Sequence, residues 1–122
     1  MSGITGTSHS KSKIVGRSKD TAIAWVNFDG STTPVAIRDS FNVSSITDHG
    51  TGYYTVTFAT AIGNDDYSVA ACCSIANNHP YTGTIGIYTL TSASARFNTS
   101  YNGQAGGSMY DSYWTTVNFF SS

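Results

Sequence analysis

Residues 44–61, SSITDHGTGYYTVTFATA, read as a β-hairpin with its turn written between the two arms. In the second arm Tyr54, Val56 and Phe58 fall on one face and Tyr53, Thr55 and Thr57 on the other. A period of two, apolar on one side and polar on the other, is the pattern of a strand with one buried face. Asp48-His49-Gly50-Thr51-Gly52 supplies the turn, because its glycines can take the positive φ that a short hairpin loop requires. Nothing in the hairpin carries chemistry, so its role is to build.

Strand signals continue on both sides of it. Upstream, AIAWVNF (22–28) sets Ala24, Val26 and Phe28 on one face and Ile23 and Trp25 on the other, and DGSTTP then turns the chain. VAIRDSFNV (35–43) places Val35, Ile37, Phe41 and Val43 in one phase, which switches at Ile46 and predicts a β-bulge near Ser44-Ser45. Downstream, YSVAACCSI (67–75) is a strand, TIGIYTL (84–90) and SARFNTS (94–100) form a pair, and YWTTVNFF (113–120) closes the chain. Turn signals separate these segments and none has a helical period of useful length. The expected fold is all-β, an antiparallel β-sandwich (jelly-roll or Ig-like) of about seven strands over residues 21–122, preceded by an extended arm over residues 1–20.

Composition agrees. Charged residues are 11% of the chain, against roughly 25% in an ordinary soluble domain. All seven acids are Asp, and Ser, Thr, Asn, Gly and Tyr stand where a helical protein would use Glu and Lys. The 122 residues suffice for one core. Four of the six basic residues, Lys11, Lys13, Arg17 and Lys19, lie in the arm, which reads as a docking device. Four cations without interleaved aromatics make a poor phosphate track, so no nucleic-acid partner is expected. There is no apolar stretch of membrane-spanning length and no signal-peptide core, so no membrane insertion is expected. Trp25 and Trp114 fall on the less apolar phase of their strands, which marks them as candidate oligomer-interface residues.

Reactive constellations are missing. His9, His49 and His79 are far apart with no second ligand at metal spacing, so no metal and no cofactor are expected. The nucleophile elbow, the P-loop and the dinucleotide glycine pattern are absent, so the chain does not read as an enzyme. Asp65 and Asp66 are adjacent and point apart if extended. Cys72 and Cys73 are neighbours on a strand, on opposite faces, and read as free thiols. Asn42-Val43-Ser44 and Asn98-Thr99-Ser100 match the glycosylation pattern, a frequent coincidence in so Asn- and Ser-rich a chain. The two longest loops are more informative. They are rich in Tyr, Asn, Gly and Ser, which give contact area and adaptable hydrogen bonds at small entropic cost. His79, Tyr81, Tyr101, Asn102, Met109, Tyr110 and Tyr113 are therefore candidate receptor-binding residues.

As a block, residues 20–73, DTAIAWVNFDGSTTPVAIRDSFNVSSITDHGTGYYTVTFATAIGNDDYSVAACC, resemble a domain found in bacteriophage tail fibres and other virion structural proteins. The resemblance implies a virion protein, assembled in the bacterial host cytoplasm, whose partners are other tail or capsid proteins. It implies a homotrimer, and for a tail-fibre or tail-tip component it implies attachment to a host surface glycan or receptor. Two alternatives stand beside it: a trimeric capsid decoration or head-fibre (cement) protein, and a carbohydrate-binding module.

Overall fold

A computed structural model describes residues 22–74, 76, 83–101 and 109–121. The arm, with Lys11, Lys13, Arg17 and Lys19, lies outside the described residues. Eight strands follow one another: β1 (Ala22–Asp29), β2 (Ala36–Phe41), β3 (Val43–Gly50), β4 (Tyr53–Phe58), β5 (Ser68–Ser74), β6 (Gly83–Leu90), β7 (Ser94–Tyr101) and β8 (Trp114–Phe120). They form two four-stranded antiparallel sheets, ordered β2-β1-β8-β5 and β3-β4-β7-β6, packed face to face as a β-sandwich.

The alternation read from the sequence builds the core. Ala24, Val26 and Phe28 of β1 and Val117 and Phe119 of β8 meet Tyr54, Val56 and Phe58 of β4 and Ala95 and Phe97 of β7, all buried. Two aromatic trios order this interior. Phe28, Tyr54 and Phe97 have ring centroids 5.2–6.2 Å apart, and Phe58, Tyr67 and Phe119 have them 5.0–5.9 Å apart in edge-to-face contact. Such pairs contribute about 0.5–1.5 kcal/mol each beyond the area they bury. The four central strands thus supply most of the core, joined by Ile62 and Tyr67 from the segment between β4 and β5, and β2, β3, β5 and β6 are the edge strands.

Two details depart from the sequence reading. The single strand expected over residues 35–43 ends at Phe41, and Val43 begins the other sheet, so the described residues form eight strands, in keeping with the expected sandwich of about seven. Nor do Ile37 and Phe41 share a buried phase. The β1–β2 register shifts between Asn27 and Phe28; Ile37 then opposes inward Phe28, while Phe41 opposes Trp25 on the outer face. On an edge strand both stay exposed, Ile37 at 39% and Phe41 at 53%. The bulge expected near Ser44-Ser45 is present as a register shift between Val43 and Ser45.

Asn42 makes the change of sheet. Its φ of 55° is the left-handed conformation, which Asn tolerates better than most side chains. Its Nδ2 donates to the carbonyls of Ile23 (3.2 Å) and Thr60 (3.0 Å), its Oδ1 accepts from the Thr60 amide (2.7 Å), and its own carbonyl accepts from the Ala59 amide (3.1 Å). One residue therefore ties β1, the β2–β3 corner and the segment after β4.

Consecutive strands alternate in direction, so the sandwich has two distinct ends. At one end Ala22 begins β1, Asn42 turns and Phe120 ends β8. At the other lie Gly30, the Thr51-Gly52 turn and the points where the chain leaves at Ser74 and Tyr101 and rejoins at Gly83 and Met109. Asn42→Ala should lower unfolding free energy by about 2–3 kcal/mol in urea titration, from lost hydrogen bonds plus backbone strain. Asn42→Gly should recover about 1 kcal/mol of that, because glycine accepts the positive φ.

Candidate functional site

The end opposite Ala22 and Asn42 is built around a buried phenol. Tyr54 is fully buried, and its hydroxyl lies 2.8 Å from Asp111 Oδ1, to which it donates, and 3.2 Å from the Gly30 carbonyl. The same carboxylate oxygen accepts from the Gly52 amide at 2.7 Å. Burial first, and the hydrogen bond to Asp111 second, push the Tyr54 ionisation far upward, so the hydroxyl remains a donor. Gly30 completes the contact: its amide donates to the Ser112 carbonyl at 2.8 Å, and a Cβ there would overlap the Tyr54 hydroxyl. Gly52 has φ 75°, and a Cβ on it would stand 2.6 Å from the Thr99 carbonyl. Both glycines are required by these approaches.

These bonds lay residues 109–113 along the end of the sandwich. The Tyr110 amide donates to the Thr99 carbonyl at 3.1 Å, and the Thr99 hydroxyl donates to the Tyr110 carbonyl. Met109 bridges Ser100, and Asn98 Nδ2 donates to its sulfur at 3.3 Å. The Tyr113 amide donates to the Ser74 carbonyl at 3.1 Å, which joins this segment to the end of β5.

Arg38 fixes the aromatic side chains that follow. From β2 it reaches across β1, with Nη2 donating to the Tyr113 carbonyl at 2.7 Å and lying 3.4 Å from Asp29 Oδ2, and Nη1 donating to Asn27 Oδ1 at 3.3 Å. Its guanidinium carbon stands 4.7 Å from the Tyr113 ring centroid and 4.1 Å from that of Trp114, and the two rings meet edge to face at 5.1 Å. The result is a rigid cluster with Trp114 still 41% exposed. Trp25 shares that outer sheet face and opposes Phe41, so the flank carries an aromatic pair as well.

Of the receptor-binding candidates, Met109, Tyr110 and Tyr113 are brought together here, and Tyr101 ends β7 opposite Gly83. Met109 and Tyr113 are half-buried and Tyr110 is 40% exposed. His79, Tyr81 and Asn102 lie outside the described residues. Trp114 belongs with the loop-end cluster as much as with the flank. Arg38 was not singled out from sequence; its one signal was a cation at mid-strand among apolar residues.

Among the described residues no three His, Cys, Asp or Glu side chains stand close enough to hold a metal ion. Cys72 is exposed beside the Thr116 hydroxyl at 3.0 Å, and burial pushes the half-buried Cys73 thiol up to about 11, away from the reactive thiolate. A groove of about 230 Å³ lined by Ile23, Asn42, Ile62 and Ser121 opens at the end where β1 begins, away from the aromatic cluster. Compared with known proteins, the chain matches no family model, no curated protein and no solved structure.

Arg38→Lys keeps a charge near Asp29 but loses the planar fork and the ring stack, which lysine cannot reproduce. It should cost about 1–2 kcal/mol in urea unfolding and shift the Trp114 emission maximum, while far-ultraviolet dichroism stays that of a folded β-protein. An unchanged emission spectrum would mean that the stack does not hold Trp114.

Proposed function

We propose that this chain is a bacteriophage virion component of the tail-fibre or tail-tip kind, which joins the particle through residues 1–20 and meets a host surface glycan or receptor with its opposite end. The observation that carries the reading is polarity. The arm joins the body at Ala22, while Tyr110, Tyr113 and Trp114 stand at the far end of the strands. A strand of eight residues separates the two ends by about 25 Å. The bacteriophage setting is supported by the resemblance of residues 20–73 to virion domains. The aromatic residues at the far end suit recognition, because rigid aromatic anchors in polar surroundings tend to dominate binding energy.

The flank supports a second part of the proposal, a homotrimer. Phe41, Trp25 and Trp114 place large apolar surface on one outer sheet face, which a neighbouring copy would cover. The same flank favours the alternative of a capsid decoration protein, whose main contacts would be lateral.

Deleting residues 1–20 should leave a folded body that no longer joins the particle. Tyr110→Ala with Trp114→Ala should leave incorporation intact and reduce host adsorption at least tenfold, equivalent to about 1.4 kcal/mol. Normal adsorption by that double variant, together with heat-fragile particles when the whole protein is missing, would select capsid decoration instead. Normal adsorption with normally robust particles would defeat both.

Light scattering at micromolar concentration should give three times the chain mass, with Trp25 shielded from acrylamide. A stable monomer with both indoles freely quenched would remove the trimer.

A further inference from the structure

The described residues contain two cations, Arg38 and Arg96, and their situations are opposite. Arg38 is consumed internally by Asp29, Asn27 and the Tyr113 carbonyl. Arg96 lies on β7, on the outer face of the other sheet, and the only ion pair among the described residues is the one that Arg38 makes. Its guanidinium carbon is 4.7 Å from the Tyr88 ring centroid, and its Nε is buried without a hydrogen-bond partner. A donor left in that state costs about 1–3 kcal/mol and calls for an explanation.

The face around it carries no acid and is rich in hydroxyls, with His49 Nε2 2.7 Å from the Thr55 hydroxyl. Thr55 on β4 and Thr89 on β6 stand directly across from Arg96, Thr47 and Thr57 lie nearby on β3 and β4, and Asn98 follows along β7. The register places no Asp on this face, and the chain contains no Glu. A shift in register between Ile87 and Thr89 marks the place where Tyr88, 63% exposed, reaches the guanidinium. An arginine fork held against an aromatic ring, without a resident acid, is arranged for a planar anion. One cation balances one negative charge, which suits a carboxylate better than a doubly charged phosphate. The neighbouring Thr hydroxyls and the Asn98 amide suit sugar hydroxyls.

We infer that the outer face of the β3-β4-β7-β6 sheet is a binding site for carboxylated saccharide, with Arg96 on the carboxylate and Tyr88, Thr55 and Thr89 against the sugar ring. The site is separate from the loop-end cluster and stands or falls independently of the virion reading.

The test is affinity electrophoresis of the full chain through gels containing polygalacturonate, alginate or polysialic acid, with dextran, dextran sulfate and carboxyl-reduced polygalacturonate as comparisons. At least one of the three carboxylated polymers should retard the protein, the neutral and carboxyl-reduced polymers should not, and dextran sulfate should act more weakly. Arg96→Gln should weaken retardation at least tenfold, Arg96→Lys less, and Tyr110→Ala with Trp114→Ala should leave it unchanged. The inference is overturned if none of the three carboxylated polymers retards the wild-type chain. It is also overturned by equal retardation from the carboxyl-reduced polymer, stronger retardation by dextran sulfate, or undiminished binding by a folded Arg96→Gln variant. If Arg96→Gln fails to fold, Tyr88→Ala, which removes an exposed ring and leaves the four cations of residues 1–20 in place, should weaken retardation likewise, and undiminished retardation of that variant overturns the inference.

Discussion

The hydroxyl of Tyr54 is the constraint on which the loop end depends. A phenol buried in an apolar interior must find an acceptor, or its desolvation is uncompensated. Here it finds Asp111, with the Gly30 carbonyl alongside, and each neighbour is in turn restricted by the meeting. Gly30 admits no side chain, Gly52 must give its amide to the same carboxylate, and Asp111 must lie across the end of the β4–β7 pair. Once Asp111 is held, Tyr113 and Trp114 have little freedom in where they emerge, and Arg38 closes over them. A Phe in place of Tyr54 would fill the same volume and specify none of this.

The two outer faces show how so weakly charged a body uses its charges. On the β2-β1-β8-β5 sheet Arg38 draws a carboxylate, an amide, a carbonyl and two rings into one cluster, so its charge serves the fold. On the β3-β4-β7-β6 sheet Arg96 has one ring and a row of threonines around it. Threonine suits both requirements of that face, because its branched Cβ favours the strand and its hydroxyl keeps the surface polar. Low charge is thus compatible with two chemically distinct surfaces, one aromatic and one hydroxylic.

What the sequence made legible was local. The hairpin over residues 44–61 is specified by alternation and by glycines whose φ of 126° and 75° the turn requires, so the residues themselves carry the information. The outward phase of Trp114 follows from the buried Thr115, Val117 and Phe119 in the same way. The break at Asn42 was less visible, because an Asn within an apolar pattern does not announce a left-handed φ. Phe41 was misplaced for a related reason: the register shift opposite Asn27 and Phe28 changes which residues share a face, and it depends on β1, not on β2 alone. Arg38 was the largest omission. Its partners lie on β1 and at residues 113–114, and only the pairing of β1 with both β2 and β8 brings them together.

The separation of the two ends follows from parity rather than from any single contact. Strands that alternate in direction return every odd-numbered one to the same end, so the connections after β1, β3, β5 and β7 all leave from the end that Tyr54 organises. The start of β1 and the finish of β8 share the other. Lengthening or rewriting a surface connection costs little, since loop-closure entropy grows only logarithmically with length. The Asn42 corner and the start of β1 lie at the opposite end from the points where the chain leaves β5 and β7. The far-end connections can therefore vary independently of the opposite end, and the physical requirement for that freedom is a loop end anchored from below by Tyr54 and Asp111.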